Sequence, residues 1–276
     1  MDLNLLFIAH ARFDNIQYNL NHLDLNAFKE IFIYIDGPNN AETKERQTNF
    51  VRNLDKKIKI KTHKKNFGVR SFIPYAISDS FKYSDNLLIL EDDIVISKTS
   101  IDFIRLNYRF LDICIISLFN PIELNNNLIV NDGGIWGWCV SKKIWSKFNW
   151  SDTHIFEIFN TLLYKIGLFK SLFYTPLIYL SKKNKIKSWA YNWFYVRVKS
   201  NIKSVIPHKT MALNVGLGDS YATSSKRSHK FSNLKLSNEI SEITLSGSFP
   251  LNKNIGYSVL ETLLRILYNW LRILKK

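Results

Sequence analysis

The stretch Leu-Leu-Ile-Leu-Glu-Asp-Asp-Ile-Val-Ile-Ser, residues Leu87 to Ser97, joins four apolar residues to three consecutive carboxylates before a β-branched run resumes at Ile94. The apolar part predicts a buried strand, with Glu91, Asp92 and Asp93 at its end. Three adjacent carboxylates repel one another by on the order of a kcal/mol or more unless a cation or hydrogen-bond donors neutralise them. Carboxylate oxygens suit Mg²⁺ or Mn²⁺, which also bind phosphate oxygens. The alternative is a solvated acidic turn between two strands.

Composition and charge narrow the class of protein. The chain has 276 residues, 46% of them hydrophobic and 22% charged, which is typical of a globular protein with a substantial core. The two cysteines, Cys114 and Cys139, offer no disulfide framework and fit a reducing compartment. The apolar N-terminus carries Asp2 and no basic leader, so we expect a first strand there rather than a signal peptide. A formal net charge of +15 favours anionic partners: nucleic acid, an acidic membrane surface or a phosphorylated small molecule.

Strands and helices alternate along the first part of the chain. The predicted strands are Leu3–Ala9, Glu30–Ile35 and Lys57–Thr62, and the predicted helices follow the first strand and cover Ala41–Leu54 and Phe72–Phe81. This alternation predicts an α/β fold with a mostly parallel, doubly wound sheet. Asp36 closes the second strand, at the edge where open α/β sheets gather ligand contacts. The first strand–helix turn has no G-x-G-x-x-G, and the chain has no G-x-x-x-x-G-K-S/T. The absence of these motifs disfavours a dinucleotide-binding site and a P-loop.

The middle of the chain is rich in aromatic residues. The pattern predicts a helix at Ser100–Phe110, a strand at Ile113–Leu118, a surface loop at Asn120–Asn131, a helical region at Trp150–Phe173 and an extended segment at Tyr174–Ile178. Three glycines and two tryptophans lie between Gly133 and Trp138. Such glycines let a backbone approach a ligand, and Trp138 could stack on a sugar ring or base. The alternative is a buried tryptophan pair that packs the core.

The C-terminal region differs from the rest. Residues 225 to 250 are rich in Ser, Lys and Asn and have little periodicity. A helix is predicted at Tyr257–Lys276, with one apolar face formed by Leu260, Leu263, Leu264, Leu267, Trp270, Leu271 and Leu274. The helix is too polar to span a bilayer, and it suits an anionic membrane interface. The alternative is packing against the domain or a partner subunit.

The chain resembles glycosyltransferases of the GT-A fold, in particular the N-acetylglucosaminyltransferase I branch and the bacterial sugar transferases that share its motifs. The residues that carry this resemblance are Arg12, Asp36, Ile89–Asp93, Gly137–Val140 with Lys142–Trp145, Trp189–Trp193 and Asn214–Thr223. The resemblance implies a Rossmann-like GT-A nucleotide-sugar-binding domain over residues 1–225, with a nucleotide-binding half 1–119 and an acceptor-side half 120–225. Residues 226–276 would form a C-terminal extension that contains the amphipathic helix.

The same resemblance implies roles for individual residues. Asp93 would coordinate the Mn²⁺ or Mg²⁺ that bridges the donor diphosphate, Asp92 would hold the ribose, and Glu91 would face the transferred sugar. Further contacts to the nucleotide would come from Arg12, Asp36, Asn66, Gly68 and Arg70. A metal ion and basic groups can neutralise a departing nucleoside diphosphate, which agrees with these roles.

The sequence leaves more than one candidate for the catalytic base. Inverting members of the family carry an Asp in the segment that corresponds to Trp189–Trp193, where it deprotonates the acceptor hydroxyl. Position 190 of this chain is alanine, and no carboxylate lies between the two tryptophans. Either another acid supplies the base, with Asp152, Glu157 and Asp219 as candidates, or the correspondence is shifted, or the enzyme is impaired.

The resemblance implies a metal-dependent, inverting hexosyltransferase. It would use a nucleotide sugar, a UDP-sugar in particular, to extend a saccharide or lipid-linked saccharide in bacterial lipopolysaccharide, lipooligosaccharide or capsule synthesis. The net charge and the terminal helix predict a cytoplasmic protein bound peripherally at the inner face of the cytoplasmic membrane. The alternatives are a catalytically impaired sugar-nucleotide-binding relative and a basic nucleic-acid-binding protein. The last is disfavoured because the basic residues are spread along the chain without a zinc-finger, RNA-recognition or KH signature.

Overall fold

The computed structural model describes residues 1–131, 133–216, 234–239 and 259–274. The strands are β1 (Asn4–Ala9), β2 (Ile31–Ile35), β3 (Lys59–Thr62), β4 (Asn86–Glu91), β5 (Ile94–Ile96), β6 (Cys114–Ser117), β7 (Leu128–Val130), β8 (Trp138–Ser141), β9 (Lys203–Ile206) and β10 (Ala212–Asn214). The helices are α1 (Phe13–His22), α2 (Ala41–Arg52), α3 (Val69–Ser80), α4 (Ser100–Asn107), α5 (Lys142–Trp145), α6 (Ile155–Ile166), α7 (Leu168–Lys182), α8 (Ala190–Lys199) and α9 (Val259–Leu274).

A central sheet of eight strands has the order β3-β2-β1-β4-β8-β6-β9-β7. β1 is parallel to β2 and β4, β2 is parallel to β3, and β6 is parallel to β9. β8 runs antiparallel to β4 and β6, and β7 runs antiparallel to β9. The predicted α/β class with a mostly parallel sheet is therefore confirmed.

The centre of the sheet is buried on both faces. In β1, Leu5 and Phe7 belong to the core cluster that also contains Phe13 of α1, whereas Leu6 and Ile8 belong to the cluster on the α3 and α8 side. Side chains alternate between the faces of a strand, so a continuous apolar run is what such a strand requires. A third, smaller cluster lies among α6, α7 and α8 and contains Ile158, Leu162, Ile178, Tyr195 and Val198.

The predicted extended segment Tyr174–Ile178 is wrong, because these residues lie inside α7. Proline cannot donate the backbone hydrogen bond to the carbonyl four residues earlier, which argues against helix in a sequence. Here the carbonyl of Leu172, four residues before Pro176, accepts a hydrogen bond from Trp270 Nε1 of α9 at 3.0 Å. The neighbouring helix thus satisfies the group that the proline leaves without its usual donor.

The predicted surface loop Asn120–Asn131 is wrong in part. Its residues 128–130 form β7, which pairs with β9. Asn120 is buried, and its side-chain amide donates to the carbonyls of Pro207 and His208 at 2.8 and 3.1 Å. The asparagines thus satisfy buried backbone groups, a role that their polarity in the sequence does not reveal.

The terminal helix predicted at 257–276 is present as α9, which packs against α7. Across the described residues, no helix is long and apolar enough to cross a membrane. The predicted domain boundary at residue 225 lies outside the described residues and stays a prediction.

Candidate active site

Glu91 ends β4 at the carboxyl edge of the sheet. It stands opposite Ile8 of β1, and strand alternation puts it on the same face as Leu87 and Ile89, which is the face covered by α3 and α8. The chain then turns through Asp92 and Asp93 into β5. Glu91 and Asp93 are partly exposed at this edge, and Asp92 is buried.

Asp92 anchors the loop that leads from β1 into α1. Its Oδ2 accepts the backbone N–H groups of His10, Ala11 and Arg12 at 2.8, 2.9 and 3.2 Å. Its Oδ1 lies 3.3 Å from the Arg12 guanidinium. These N–H groups lie in the loop before α1 and have no strand or helix partner, so the carboxylate satisfies donors that would otherwise be unpaired. Asp92 therefore fixes the loop and places Arg12 beside the acidic turn.

Asp36 has the corresponding position at the end of β2. Its Oδ1 accepts N–H groups of Gly37 and Phe67 at 2.9 and 2.8 Å, and its Oδ2 accepts that of Gly68 at 2.9 Å. Asn66 donates to the carbonyl of Gly37 at 2.7 Å. Gly68 precedes α3 with φ of 74°, a left-handed conformation that glycine adopts without strain. Asp36, Asn66 and Gly68 therefore join the end of β2 to the start of α3.

A second segment, which consists of β10 and the two residues after it, packs against the acidic turn. β10 pairs with β5 so that Asn214 stands opposite Ile94. The Asn214 side-chain amide donates to Asp93 Oδ2 at 3.1 Å, and the Val215 N–H donates to the Asp93 carbonyl at 2.8 Å. A Cβ atom at Gly216 would lie 2.7 Å from Asp93 Cβ and 3.2 Å from Arg12 Cζ. The backbone of Gly216 thus lies directly against the Asp93 and Arg12 side chains.

Burial and neighbouring charges raise the pKa values of Glu91 and Asp93. Burial, followed by the charges of Asp93 and Asp92, raises the pKa of Glu91 well above its ordinary value, and Arg12 opposes this. Burial and the charge of Asp92 raise the pKa of Asp93 to about 6, against the opposing effects of Arg12 and Asn214. Within the described residues, no donor makes a hydrogen bond to the Glu91 carboxylate. The described residues thus compensate the repulsion among these carboxylates only in part.

The residues present fit a divalent cation that arrives with a phosphate-bearing ligand. The described part of the chain has no group of three or more His, Cys, Asp or Glu side chains placed to hold a metal ion. Mg²⁺ commonly uses one or two protein carboxylates and takes its other oxygens from substrate phosphates and water. Asp93, with Glu91 nearby, can supply the one or two carboxylate ligands. These residues do not complete the coordination of a metal ion by themselves.

Arg70 and Trp138 have packing roles in this structure. Arg70 donates to the carbonyls of Ser181 and Lys182 at 3.1 and 3.3 Å, and its guanidinium lies 4.0 Å from the centre of the Trp150 ring. It therefore joins the first turn of α3 to the end of α7. Trp138 is fully buried, with three other indole rings centred 5.8 to 6.2 Å away: Trp145, Trp189 and Trp193. Packing in the core is therefore observed for Trp138, whereas Trp136 is partly buried and packs against Phe119.

No hydrogen bond or ion pair between described residues links the candidate bases to the acidic turn. Asp152 is exposed and pairs with Lys183 at 3.0 Å, and Glu157 is exposed and pairs with Lys199 at 3.0 Å. Asp219 lies outside the described residues. Sequence reasoning did not select Asn214 and Gly216 individually, although the stretch Asn214–Thr223, with its two glycines, was the signal that could have identified them.

No protein-family model and no curated protein sequence matches this chain. A mannosyltransferase from Pyrobaculum calidifontis, solved with GDP-Man and Mn²⁺, is 8% identical with a TM-score of 0.39, over 52% of this chain and 46% of that protein. S. aureus TarS residues 1–349 are 14% identical with a TM-score of 0.37, over 79% of this chain and 62% of that one. A further TarS structure is 12% identical with a TM-score of 0.37, over 77% of this chain and 36% of that one. Each match spans less than two thirds of the other protein.

Proposed function

We propose that this chain is a metal-dependent glycosyltransferase that moves a sugar from a nucleotide sugar to a saccharide acceptor. The observation that carries the proposal is the incompletely neutralised pair Glu91 and Asp93 at the carboxyl edge of parallel strands, beside Arg12 and under the backbone of Gly216. Ligands of open α/β sheets bind outside the carboxyl ends of the strands. The GT-A resemblance rests on several of the same residues, which supports the proposal.

Asp93 is the residue that we assign to the divalent cation. When bound, Mn²⁺ or Mg²⁺ stabilises the charge that develops on a departing nucleoside diphosphate. Arg12 places a fixed positive charge at the same edge, since its guanidinium is held 3.3 Å from Asp92. Gly216 lets the backbone pack directly against Asp93 and Arg12, since a Cβ atom there would lie 2.7 Å from Asp93 Cβ.

The proposed transfer breaks the bond between the anomeric carbon and the diphosphate oxygen, and the diphosphate leaves with the electron pair. The acceptor hydroxyl oxygen forms the new bond and gives its proton to a base. We assign Glu91 to the side of the transferred sugar, where its raised pKa makes it a stronger proton acceptor than an ordinary carboxylate. Asp152, Glu157 and Asp219 remain candidates for the base, and hexosyl transfer with inversion remains part of the proposal.

The substrates and the cellular location of the enzyme are also proposals. The GT-A resemblance supports a UDP-sugar donor and a saccharide or lipid-linked saccharide acceptor in bacterial surface glycan synthesis. The net charge of +15 supports a location beside an anionic surface. For a lipid-linked acceptor this surface would be the inner face of the cytoplasmic membrane.

Thermal stability of the purified chain against nucleotides and nucleotide sugars tests this proposal, with Mn²⁺ or with a chelator. A ligand at about 100 times its dissociation constant adds about 2.7 kcal/mol, which shifts the midpoint by several degrees. We expect stabilisation by uridine nucleotides that requires Mn²⁺ and is lost in Asp93→Ala. The control is Asp102→Ala, which removes an exposed acid of α4 and should keep the shift. No shift with any nucleotide, or an unchanged shift in Asp93→Ala, would contradict the proposal.

A catalytically impaired nucleotide-sugar-binding protein is the second candidate, and the alanine at position 190 favours it. Ala190 is the first residue of α8, between the buried Trp189 and Trp193. Such a protein would show the metal-dependent shift without sugar transfer or donor hydrolysis. Product analysis of the donor after incubation with Mn²⁺ therefore separates the two candidates.

A further inference from the structure

Helix α9 presents its leucine stripe to solvent. The exposed residues of this stripe are between 45 and 63% accessible and comprise Leu263, Leu264, Leu267, Tyr268 and Leu271. The opposite side of α9 packs on α7, where Asn269 is buried. A helix of a globular domain ordinarily turns its apolar face to the core. In α9, Asn269 is buried and Ile266 and Ile273 are partly buried, whereas the leucine stripe is exposed.

A specific contact holds α9 in this orientation. Trp270 Nε1 donates to the Leu172 carbonyl, which Pro176 cannot satisfy within α7. Arg272 also donates to the carbonyl of Lys185 at 3.3 Å. Trp270 and Arg272 thus attach α9 to α7 and to the residues that follow α7, while the stripe stays exposed.

A second group of exposed apolar side chains lies where α6 turns into α7. Tyr164 is 85% accessible, and Leu168 and Phe169 are both more than half exposed, on either side of Gly167. Leu172, which α9 contacts, is one helical turn beyond this group, so the two exposed groups adjoin. Together they form what we call the apolar face: Leu163, Tyr164, Leu168, Phe169, Leu263, Leu264, Leu267, Tyr268 and Leu271.

Positive charge accompanies the apolar face. Lys165 of α6, Lys170 of α7 and Arg272 of α9 are the sequence neighbours of the exposed side chains Tyr164, Phe169 and Leu271. Lys165 Nζ lies 5.4 Å from the Tyr164 ring centre, and the Arg272 guanidinium lies 5.9 Å from that of Tyr268. Apolar side chains with adjacent Lys and Arg match the boundary between the acyl chains and phosphates of an anionic bilayer. A second copy of the chain would bring positive charge against positive charge.

We propose that the apolar face docks on the surface of an anionic lipid bilayer. The α9 leucines and the α6–α7 turn enter the headgroup region, and the adjacent Lys and Arg side chains contact lipid phosphates. The attachment that we propose is peripheral. The proposal does not depend on the catalytic function, because lipid binding is measured without any nucleotide.

Sedimentation of the full chain with lipid vesicles tests the proposal. We expect binding to phosphatidylcholine vesicles that contain phosphatidylglycerol, weaker binding to phosphatidylcholine alone, and a decrease at high salt. Each of the double variants Leu264→Ser/Leu267→Ser and Leu168→Ser/Phe169→Ser should lower the partition coefficient by about tenfold or more. The control Leu106→Ser/Ile113→Ser removes side chains that are 62 and 65% accessible outside the apolar face, and it should bind as the wild type does.

Two outcomes would overturn this inference. The first is equal vesicle binding by the wild type and both face variants, or no binding by the wild type. The second is a wild-type dimer in light scattering that both face variants convert to monomer without any vesicle binding, which would assign the face to a second copy. Thermal midpoints equal to the wild type would show that the variants fold. Absence of vesicle binding together with metal-dependent nucleotide stabilisation would remove this inference and leave the proposed function standing.

Discussion

The side-chain amide of Asn214 donates a hydrogen bond to the Asp93 carboxylate at 3.1 Å, across 121 residues of sequence. The contact exists because β10 pairs with β5 immediately beyond the acidic turn. Asn214 therefore orients the carboxylate that we assign to the cation. The site consists of two distant segments, and each can be tested separately.

Replacement of Gly216 should impair the site without unfolding the protein. In Gly216→Ala the new Cβ would lie 2.7 Å from Asp93 Cβ, so the carboxylate or the β10 end must move. We expect about tenfold weaker nucleotide binding in the presence of Mn²⁺, because misplacement of a binding group by about 1 Å costs this much or more. Titration of the thermal shift with nucleotide measures it.

The matched control for this variant is Gly167→Ala. Gly167 has φ of 81° and no atom within 4 Å of the added Cβ. This substitution should cost about 1 kcal/mol of stability through backbone strain and leave nucleotide affinity unchanged. Equal nucleotide affinities in the two variants would argue against Gly216 as part of the site.

Asp92 and Asp93 should respond in opposite ways to loss of charge. Asp92→Asn weakens the hydrogen bonds to three backbone N–H groups and to Arg12, so we expect a loss of about 2 to 3 kcal/mol. Asp93→Asn removes a carboxylate that burial and Asp92 disfavour in the folded state, so stability at pH 7 should be unchanged or higher. Urea unfolding of both variants without ligand measures this. A marked destabilisation by Asp93→Asn would show that this carboxylate is structural.

Asp79 should make stability depend on pH in the acid range. Burial acts to raise the pKa of Asp79, but hydrogen bonds from Lys61, Lys82 and Tyr34 at 2.6, 2.6 and 2.7 Å outweigh it and lower the pKa below its ordinary value. The unfolded chain then binds a proton at a higher pH than the folded chain. The stabilisation is complete above about pH 4 and is lost as the pH falls below that value.

The Asp79→Asn variant tests this dependence. At pH 7 it should be about 2 kcal/mol less stable than the wild type, and the difference should shrink as the pH falls below about 4. Asp102→Asn, at an exposed ion pair with Arg105, should leave the pH profile unchanged. A constant difference between Asp79→Asn and the wild type from pH 7 to pH 2 would contradict the assignment.

Trp138→Phe should reduce stability and leave nucleotide binding intact. Trp138 is fully buried, and its Nε1 has no hydrogen-bond partner among the described residues, so the variant loses packing only. We expect a loss of about 1 to 3 kcal/mol from the smaller ring. Chemical unfolding and the nucleotide-dependent thermal shift measure the two effects. A lost thermal shift at unchanged stability would instead indicate that the indole stacks on the ligand.

Local patterns were sufficient for much of the fold. The apolar runs of β1, β2 and β4 and the turn residues between them predicted the parallel strands, because burial on both faces demands such runs. The abrupt change from Leu90 to Glu91 placed the acidic turn at a strand end for the same reason. The helix α9 was predicted from its 3.6-residue periodicity, which depends on the helix alone.

The sequence by itself determined which residue types stand at the carboxyl edge of the sheet, since strand ends and turns are encoded by neighbouring residues. The tertiary structure alone decided what these residues contact. Asp92 and Asp36 bind loop N–H groups, Trp138 is enclosed by three other indoles, and Asn214 reaches Asp93. It also left the α9 leucines exposed, while Trp270 of the same helix donates a hydrogen bond to the carbonyl that Pro176 leaves without its helical donor. Each of these contacts joins segments far apart in the chain, and periodicity and spacing carry no information on which distant segments meet.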